Sequence, residues 1–382
     1  MQMTFLLRSL SLASALTLSL FWAGCAASSK PAVTSQQPAP PKMARLDSEI
    51  LLTYHGAGGQ VKPVRSISDW QKRRGEIING MQEVMGPLPG SAKRVALDPQ
   101  VHERVDCGEY FRLLISYAAE PGSRVPAYLC VPKSVADGKH KAPAALCLHP
   151  TDNNIGHQVV VGLGGKQNRA YAHELALRGY VTLSPSYPLL AKYQPDIKAL
   201  GYQSGTMKAI WDNVRGLDLL ESLPYVDKRR GFAAIGHSLG GHNAVYTAVF
   251  DDRIKVIVSS CGLDSYPDYM GGDPKVWAPE KGWCQTRYMP KLADYQGRLA
   301  EIPFDFPEMI GALAPRVCFI SAPLGDSNFK WKSVDNIANA AFEIYSLYNR
   351  PLNLMVEHPD CPHDFPSETR FRAYDLLDAN LR

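Results

Sequence analysis

The chain is 382 residues long, 45% hydrophobic and 20% charged, and its 41 Lys and Arg against 37 Asp and Glu give a formal charge of +4. This apolar share excludes wholesale disorder and a collagen-like repeat, and the length suits one large domain or two medium ones. A charge of +4 is too small to argue for nucleic acid, and eight Cys over this length are no small disulfide scaffold.

Residues 1–24 read as an export signal. Arg8 supplies the positive start, residues 10–22 are almost wholly apolar or small, and Ala23-Gly24-Cys25 forms a small-residue end. Small residues directly before a Cys resemble the bacterial lipoprotein cleavage site, which implies lipid on Cys25 and a place in the cell envelope. Ordinary secretion is the alternative. Residues 25–45 are rich in Pro, Gln and Ala without periodicity, the composition of a flexible tether. Arg8, Lys30, Lys42 and Arg45 are the only charged residues among the first 45, so residues 46–382 carry 41 − 4 = 37 basic against 37 acidic side chains. Nothing in that balance points to nucleic acid. The membrane enters only through the lipid anchor.

Ser68-Asp69-Trp70-Gln71 has capping-box spacing, and Trp70, Ile77, Ile78, Met81, Val84 and Met85 follow at helical intervals until Gly86-Pro87. Strands at 111–118 and 125–131 are joined by Pro121-Gly122. Apolar strands at 144–148, 180–183, 231–235, 255–259, 317–321 and 352–356 then alternate with helices at 168–178, 206–222, 239–250, 333–348 and 367–380. Short, continuously apolar strands alternating with helices predict an α/β fold, a doubly wound and mostly parallel sheet covered on both faces, with a helical lead-in. Residues 264–315 break the alternation with Gly, Pro, Tyr and Trp. They read as an insertion over the carboxyl ends of the strands, where such folds bind ligands.

Gly236-His237-Ser238-Leu239-Gly240 lies where an apolar strand meets a helix. That context makes it a nucleophile elbow, with Ser238 strained at the turn and a helix N-terminus beside the charge that develops. A serine needs a base, and the base needs orienting. His363 follows the last strand, with His358 as competitor; Asp326 follows the strand at 317–321, with Asp264 and Glu357 behind it. An oxyanion hole needs two backbone N–H groups: Leu239 offers one, and Thr151 the other, because Pro150 cannot donate. His149 and Asp152 read equally well as loop stabilisers.

With these motifs in order, the chain resembles the α/β-hydrolase superfamily, specifically exported bacterial members akin to dienelactone hydrolases and acetyl xylan esterases. The resemblance rests on Leu148-His149-Pro150, residues 236–241, residues 322–326 and His363-Asp364-Phe365-Pro366. It implies cleavage of carboxylic esters with no metal or organic cofactor. Dienelactone hydrolases use a cysteine nucleophile, so a lactone substrate is not implied. Trp277, Trp283, Tyr288 and Tyr269 offer ring surfaces for a sugar, and Arg287 a partner for a carboxylate, which suggests an acylated or methyl-esterified polysaccharide. Packing of the insertion is the plainer role for these aromatics. A prolyl-oligopeptidase-like peptidase and a non-catalytic glycan-binding surface protein are the alternatives.

Residues 162–166 (Gly-Leu-Gly-Gly-Lys) lack the Ser/Thr and leading glycine of a phosphate loop and read as an active-site loop. His358, Asp360, Cys361 and His363 crowd together without metal-ligand spacing. Cys130, Cys147 and Cys318 read as buried thiols, whereas Cys107, Cys261, Cys284 and Cys361 are candidates for bridges.

Overall fold

A computed structural model describes residues 44–382. The export signal, Cys25 and all but the last two residues of the tether lie outside the described residues. Arg45, read above as tether, belongs to the body: it grips both oxygens of the fully buried Glu308 at 2.7 and 2.6 Å and the Ile302 carbonyl at 2.7 Å.

A hairpin of β1 (Thr53–His55) and β2 (Val61–Pro63) precedes α1 (Ile67–Met85). The cap of α1 is Ser66, not Ser68: its backbone is extended and its hydroxyl accepts from the Asp69 N–H. Then come β3 (Gln100–Asp106), β4 (Tyr110–Glu120) and β5 (Ser123–Pro132), an antiparallel meander one strand longer than expected. The missed strand, β3, is an exposed edge with a polar sequence, so it carries no apolar alternation.

From β6 (Ala144–Leu148) the expected alternation holds: α2 (Tyr171–Leu177), β7 (Val181–Pro185), α3 (Gly205–Ser222), β8 (Phe232–His237), α4 (Leu239–Phe250) and β9 (Ile254–Ser260). After the irregular segment come α5 (Phe306–Leu313), β10 (Val317–Ser321), α6 (Trp331–Leu347), β11 (Leu354–Glu357) and α7 (Ser367–Leu381). Helix α5 lies inside the region read as insertion. Asp305 and Glu308 close a capping box at its start, so the irregular part proper ends near residue 305.

One nine-stranded sheet runs in the order β11-β10-β9-β8-β6-β7-β5-β4-β3, parallel from β11 to β7 and antiparallel beyond. Strands β6, β7, β8 and β10 are buried along their whole length and β9 at every residue but Lys255, which is why they read as apolar runs rather than alternating ones. Along β6, Ala144, Leu146 and Leu148 face one core with α1, α3, α4, α5 and α6; Ala145 and Cys147 face the other, with α2 and α7. Both faces are therefore covered.

The strand order fixes where a ligand can sit. From β6 the chain crosses to β7 on one side, whereas from β8 it crosses to β9 on the other. The loops leaving the adjacent ends of β6 and β8 therefore diverge, and a crevice opens between them. Residues 149–152 and Ser238 stand at this divide.

Candidate active site

Ser238 joins β8 to α4 with φ 56° and ψ −122°, a strained conformation for a residue with a side chain. Its own N–H donates to Ser260 at 2.7 Å, and its carbonyl accepts from His242 at 3.0 Å, so the turn is held at both ends. Gly240 is required two residues on, because a Cβ there would lie 1.9 Å from the Leu148 carbonyl oxygen at the tip of β6. The elbow thus packs against the strand whose loop lies across the crevice.

Nδ1 of His363 donates to Oδ2 of Asp326 at 2.8 Å, which leaves Nε2 as the nitrogen free to act as base. The other Asp326 oxygen accepts from the N–H groups of Asn328 and Phe329 at 2.8 and 3.1 Å. Burial works to raise the Asp326 carboxyl, but the hydrogen bond and charge of His363 and the two backbone donors outweigh it and hold it below the ordinary carboxylate range. Ser238 and His363 line one lobe of the cleft and share no hydrogen bond among the described residues. Such contacts commonly tighten only when substrate is bound.

The competitors have other partners. His358 bridges the Ala322 carbonyl and Asp335, tying the end of β10 to α6. Burial raises the Asp264 carboxyl to about 6, and it meets the Lys330 N–H at the start of α6. Glu357 pairs with Arg372.

Leu239 opens α4, so its N–H is among those a helix leaves without an internal acceptor. Thr151 lines the cleft opposite, its hydroxyl 3.1 Å from that of Tyr288. His149 and Asp152 take the stabilising role. The ring of His149 joins the Pro150 carbonyl to the Tyr187 N–H, and burial pushes it down to about 4, so it is neutral. Asp152 accepts from the N–H groups of Asn154 and Ile155.

Ser238 stands where two lobes meet. One, of about 160 Å³, is lined by Leu239, His242, Tyr269, Trp283, Tyr288 and Phe329. The rings of Tyr269 and Trp283 are stacked at 4.2 Å and 7° in its wall. The other lobe, of about 130 Å³, carries the ionisable polar side chains: Asp152, Lys166, Arg169, His237 and His363 line it beside Pro150 and Val159. The irregular segment thus contributes Tyr269, Trp283 and Tyr288 to the cleft, whereas two of the expected binding residues turn away. Trp277 is 1% exposed and packs edge-on behind Tyr266, Tyr269 and Trp283, so it supports the wall rather than lining it. Arg287 donates to Asn153 at 2.9 Å, linking the segment to the loop after β6.

All seven described Cys are free thiols, so none of the bridges considered for Cys107, Cys261, Cys284 and Cys361 forms. The crowded His358, Asp360, Cys361 and His363 do not gather either. Among the described residues, one trio (His237, Cys261 and His363) brings its ligand atoms within 4.8 Å of one another. Its Cys261 thiol, however, is directed at the Asp364 carbonyl.

Sequence reasoning missed three features of this centre. His237 lies against the His363 ring, with centroids 4.8 Å apart. It is kept neutral by burial first, then by Arg169, His363 and Lys166. His242 forms part of the aromatic wall, stacked on Tyr246. Arg169 reaches the cleft from the loop before α2, and no spacing in the sequence marks it.

No family model matches the chain, and no curated protein matches it. Solved structures do. A glucuronoyl esterase from Solibacter usitatus is 18% identical with a TM-score of 0.67, the match covering 91% of this chain and 99% of that one. A carbohydrate esterase family 15 glucuronoyl esterase from Caldicellulosiruptor kristjansonii is 18% identical with a TM-score of 0.63, over 89% and 91%. The glucuronoyl esterase catalytic domain from Hypocrea jecorina is 15% identical with a TM-score of 0.59, over 90% and 92%. Likeness at this identity establishes a shared fold, that of the α/β hydrolases.

Proposed function

We propose that the protein is a serine-dependent carboxylic ester hydrolase that works through an acyl-enzyme on esters of carbohydrates. The carrying observation is a serine in a strained strand-to-helix elbow sharing a cleft with a histidine held by a buried aspartate. In this reading Ser238 Oγ attacks the ester carbonyl while His363 Nε2 takes its proton. The N–H groups of Leu239 and Thr151 receive the negative oxygen that forms. Collapse expels the alcohol, which takes the proton from His363. Water, deprotonated by the same nitrogen, then attacks the acyl carbonyl and frees Ser238.

The two lobes give the substrate a direction. The alcohol leaves beside the group that protonates it, so it occupies the polar lobe that His363 lines. The acyl part then occupies the aromatic lobe beside Leu239. About 160 Å³ faced by Tyr269, Trp283 and Tyr288 is far more space and ring surface than a two-carbon acetyl group needs. It suits a sugar ring as the acid component, that is, a uronic acid ester. The names of the glucuronoyl esterases that share the fold fit this direction.

Methyl and benzyl glucuronate, methyl galacturonate and acetylated xylan, assayed side by side, test the reading. The uronate esters are expected to give a kcat/KM at least about tenfold above that for acetate release. Preferential acetate release would reverse the direction of the substrate. Cleavage of peptide amides would favour a peptidase. Turnover of no ester, with Ser238 unlabelled by a fluorophosphonate, would favour a glycan-binding protein.

Among the described residues, no helix is long and apolar enough to cross a membrane. Export through residues 1–24 with lipid on Cys25 is the second part of the proposal. Mass spectrometry of the mature protein from a bacterial host tests it: the expected N-terminus is a diacylglyceryl-modified Cys25, and an unmodified N-terminus would refute the anchor.

A further inference from the structure

The loop that carries His363 is fastened at three consecutive carbonyls. That of His363 accepts from Nη2 of Arg169 at 3.2 Å, that of Asp364 from the Cys261 thiol at 3.2 Å, and that of Phe365 from Arg370 at 2.5 Å. The Asp364 side chain is held as well, by Asn168 at 2.6 Å and by the Arg169 guanidinium. Arg169 is 4% exposed and also donates to the carbonyls of Gln167 and Asn168. Its pairing with Asp364 matches the demand that a buried charge have a partner and satisfied hydrogen bonds.

What Arg169 is attached to gives the contact its meaning. Two residues on, Tyr171 donates its hydroxyl to the Leu148 carbonyl, at the end of the strand whose loop supplies Thr151. The segment 168–171 is therefore fastened at one end to the base and at the other to the strand that leads to the oxyanion donor. Gly240 of the elbow packs on the same Leu148 carbonyl. Nucleophile, base and oxyanion donor come from three separate loops, and this short segment ties two of them together.

We propose that Arg169 and Asp364 are a positioning pair that holds His363 in register with Ser238 and the oxyanion donor. The pair acts through the main chain of the histidine loop, whereas Asp326 acts on the ring itself. The inference rests on the hydrolase reading given above.

The test compares Arg169→Lys, Arg169→Met, Asp364→Asn and the double variant Arg169→Met/Asp364→Asn, with rates normalised to sites titrated by a fluorophosphonate so that misfolded protein is not counted. Lysine keeps the charge but cannot span several acceptors in a plane. Expected are a kcat lower by about 10-fold for Arg169→Lys and about 100-fold for Arg169→Met, with KM within about twofold of wild type. Asp364→Asn should fall between these, and the double variant should be no worse than Arg169→Met, because both substitutions break the same Arg169–Asp364 contact. Single variants with wild-type kcat, or losses that multiply in the double variant, would overturn the pairing. A KM that rises while kcat holds would make Arg169 a substrate ligand and overturn it too. Activity retained by Ser238→Ala would instead remove the hydrolase reading beneath it, so the two failures are distinguishable.

Discussion

Ser238→Ala is expected to lose ester hydrolysis by at least about 10⁴-fold in kcat while the protein stays folded and its thermal midpoint stays put. The size of the loss follows from the chemistry: without Oγ no acyl-enzyme forms, and only binding and the oxyanion donors remain. The unchanged stability follows from the elbow, whose hydrogen bonds to Ser260 and His242 are made by backbone atoms. Alanine meets the same positive φ as serine, so the substitution removes the nucleophile and leaves the turn. Hydrolysis of p-nitrophenyl acetate, with a melting curve on the same sample, checks both halves. Full activity in a folded variant would end the serine mechanism. Undiminished glycan binding alongside lost turnover would show the cleft intact without its chemistry.

The second large effect is expected at Asp326. Asp326→Asn keeps the shape and an oxygen for the Asn328 and Phe329 N–H groups, so the turn survives. What changes is the face offered to His363: an amide N–H₂ there donates to Nδ1 and drives the ring proton to Nε2, the nitrogen that must accept from Ser238. A loss of about 10³–10⁴ in kcat with a small change in KM is expected. Neither Asp264, turned toward the start of α6, nor Glu357, paired with Arg372, can take over. In the wild type the carboxyl lies below its ordinary range, so it remains ionised through the weakly acidic range and does not set an activity limb there. A kcat–pH profile from pH 4 to 9 for both proteins checks this: the variant should be depressed across the whole range. A variant within tenfold of wild type would mean another group orients His363.

The elbow and the parallel strands were readable because each rests on local chemistry. Buried parallel strands must be apolar on both sides, and a reversal as tight as that at Ser238 needs glycine where Gly240 meets the Leu148 carbonyl. Strand β3 was not readable, since an exposed edge can be built from Gln, His, Glu and Arg. Helix α5 did leave a signal, the spacing from Asp305 to Glu308, but it is short and follows a stretch of loops and brief 3-10 turns. Composition could nominate the aromatics of residues 264–305 for the cleft but could not separate Trp283, in its wall, from Trp277 behind it. That difference is a matter of which ring the fold turns toward the cleft and which it packs behind the others. Arg169 is the extreme case. Its partners lie about 195 residues away in the chain, and only the folded sheet brings them together.

The divided cleft also bears on what else the centre can make. If the alcohol departs from the polar lobe, the acyl group stays behind in the aromatic one, and the incoming water must use the space just vacated. Any small alcohol that lodges beside His363 meets the same base and the same carbonyl as that water. On that reading the divide between β6 and β8 is a partition as well as a cleft: product ratio becomes a competition for one lobe, and transesterification is hydrolysis with a different visitor.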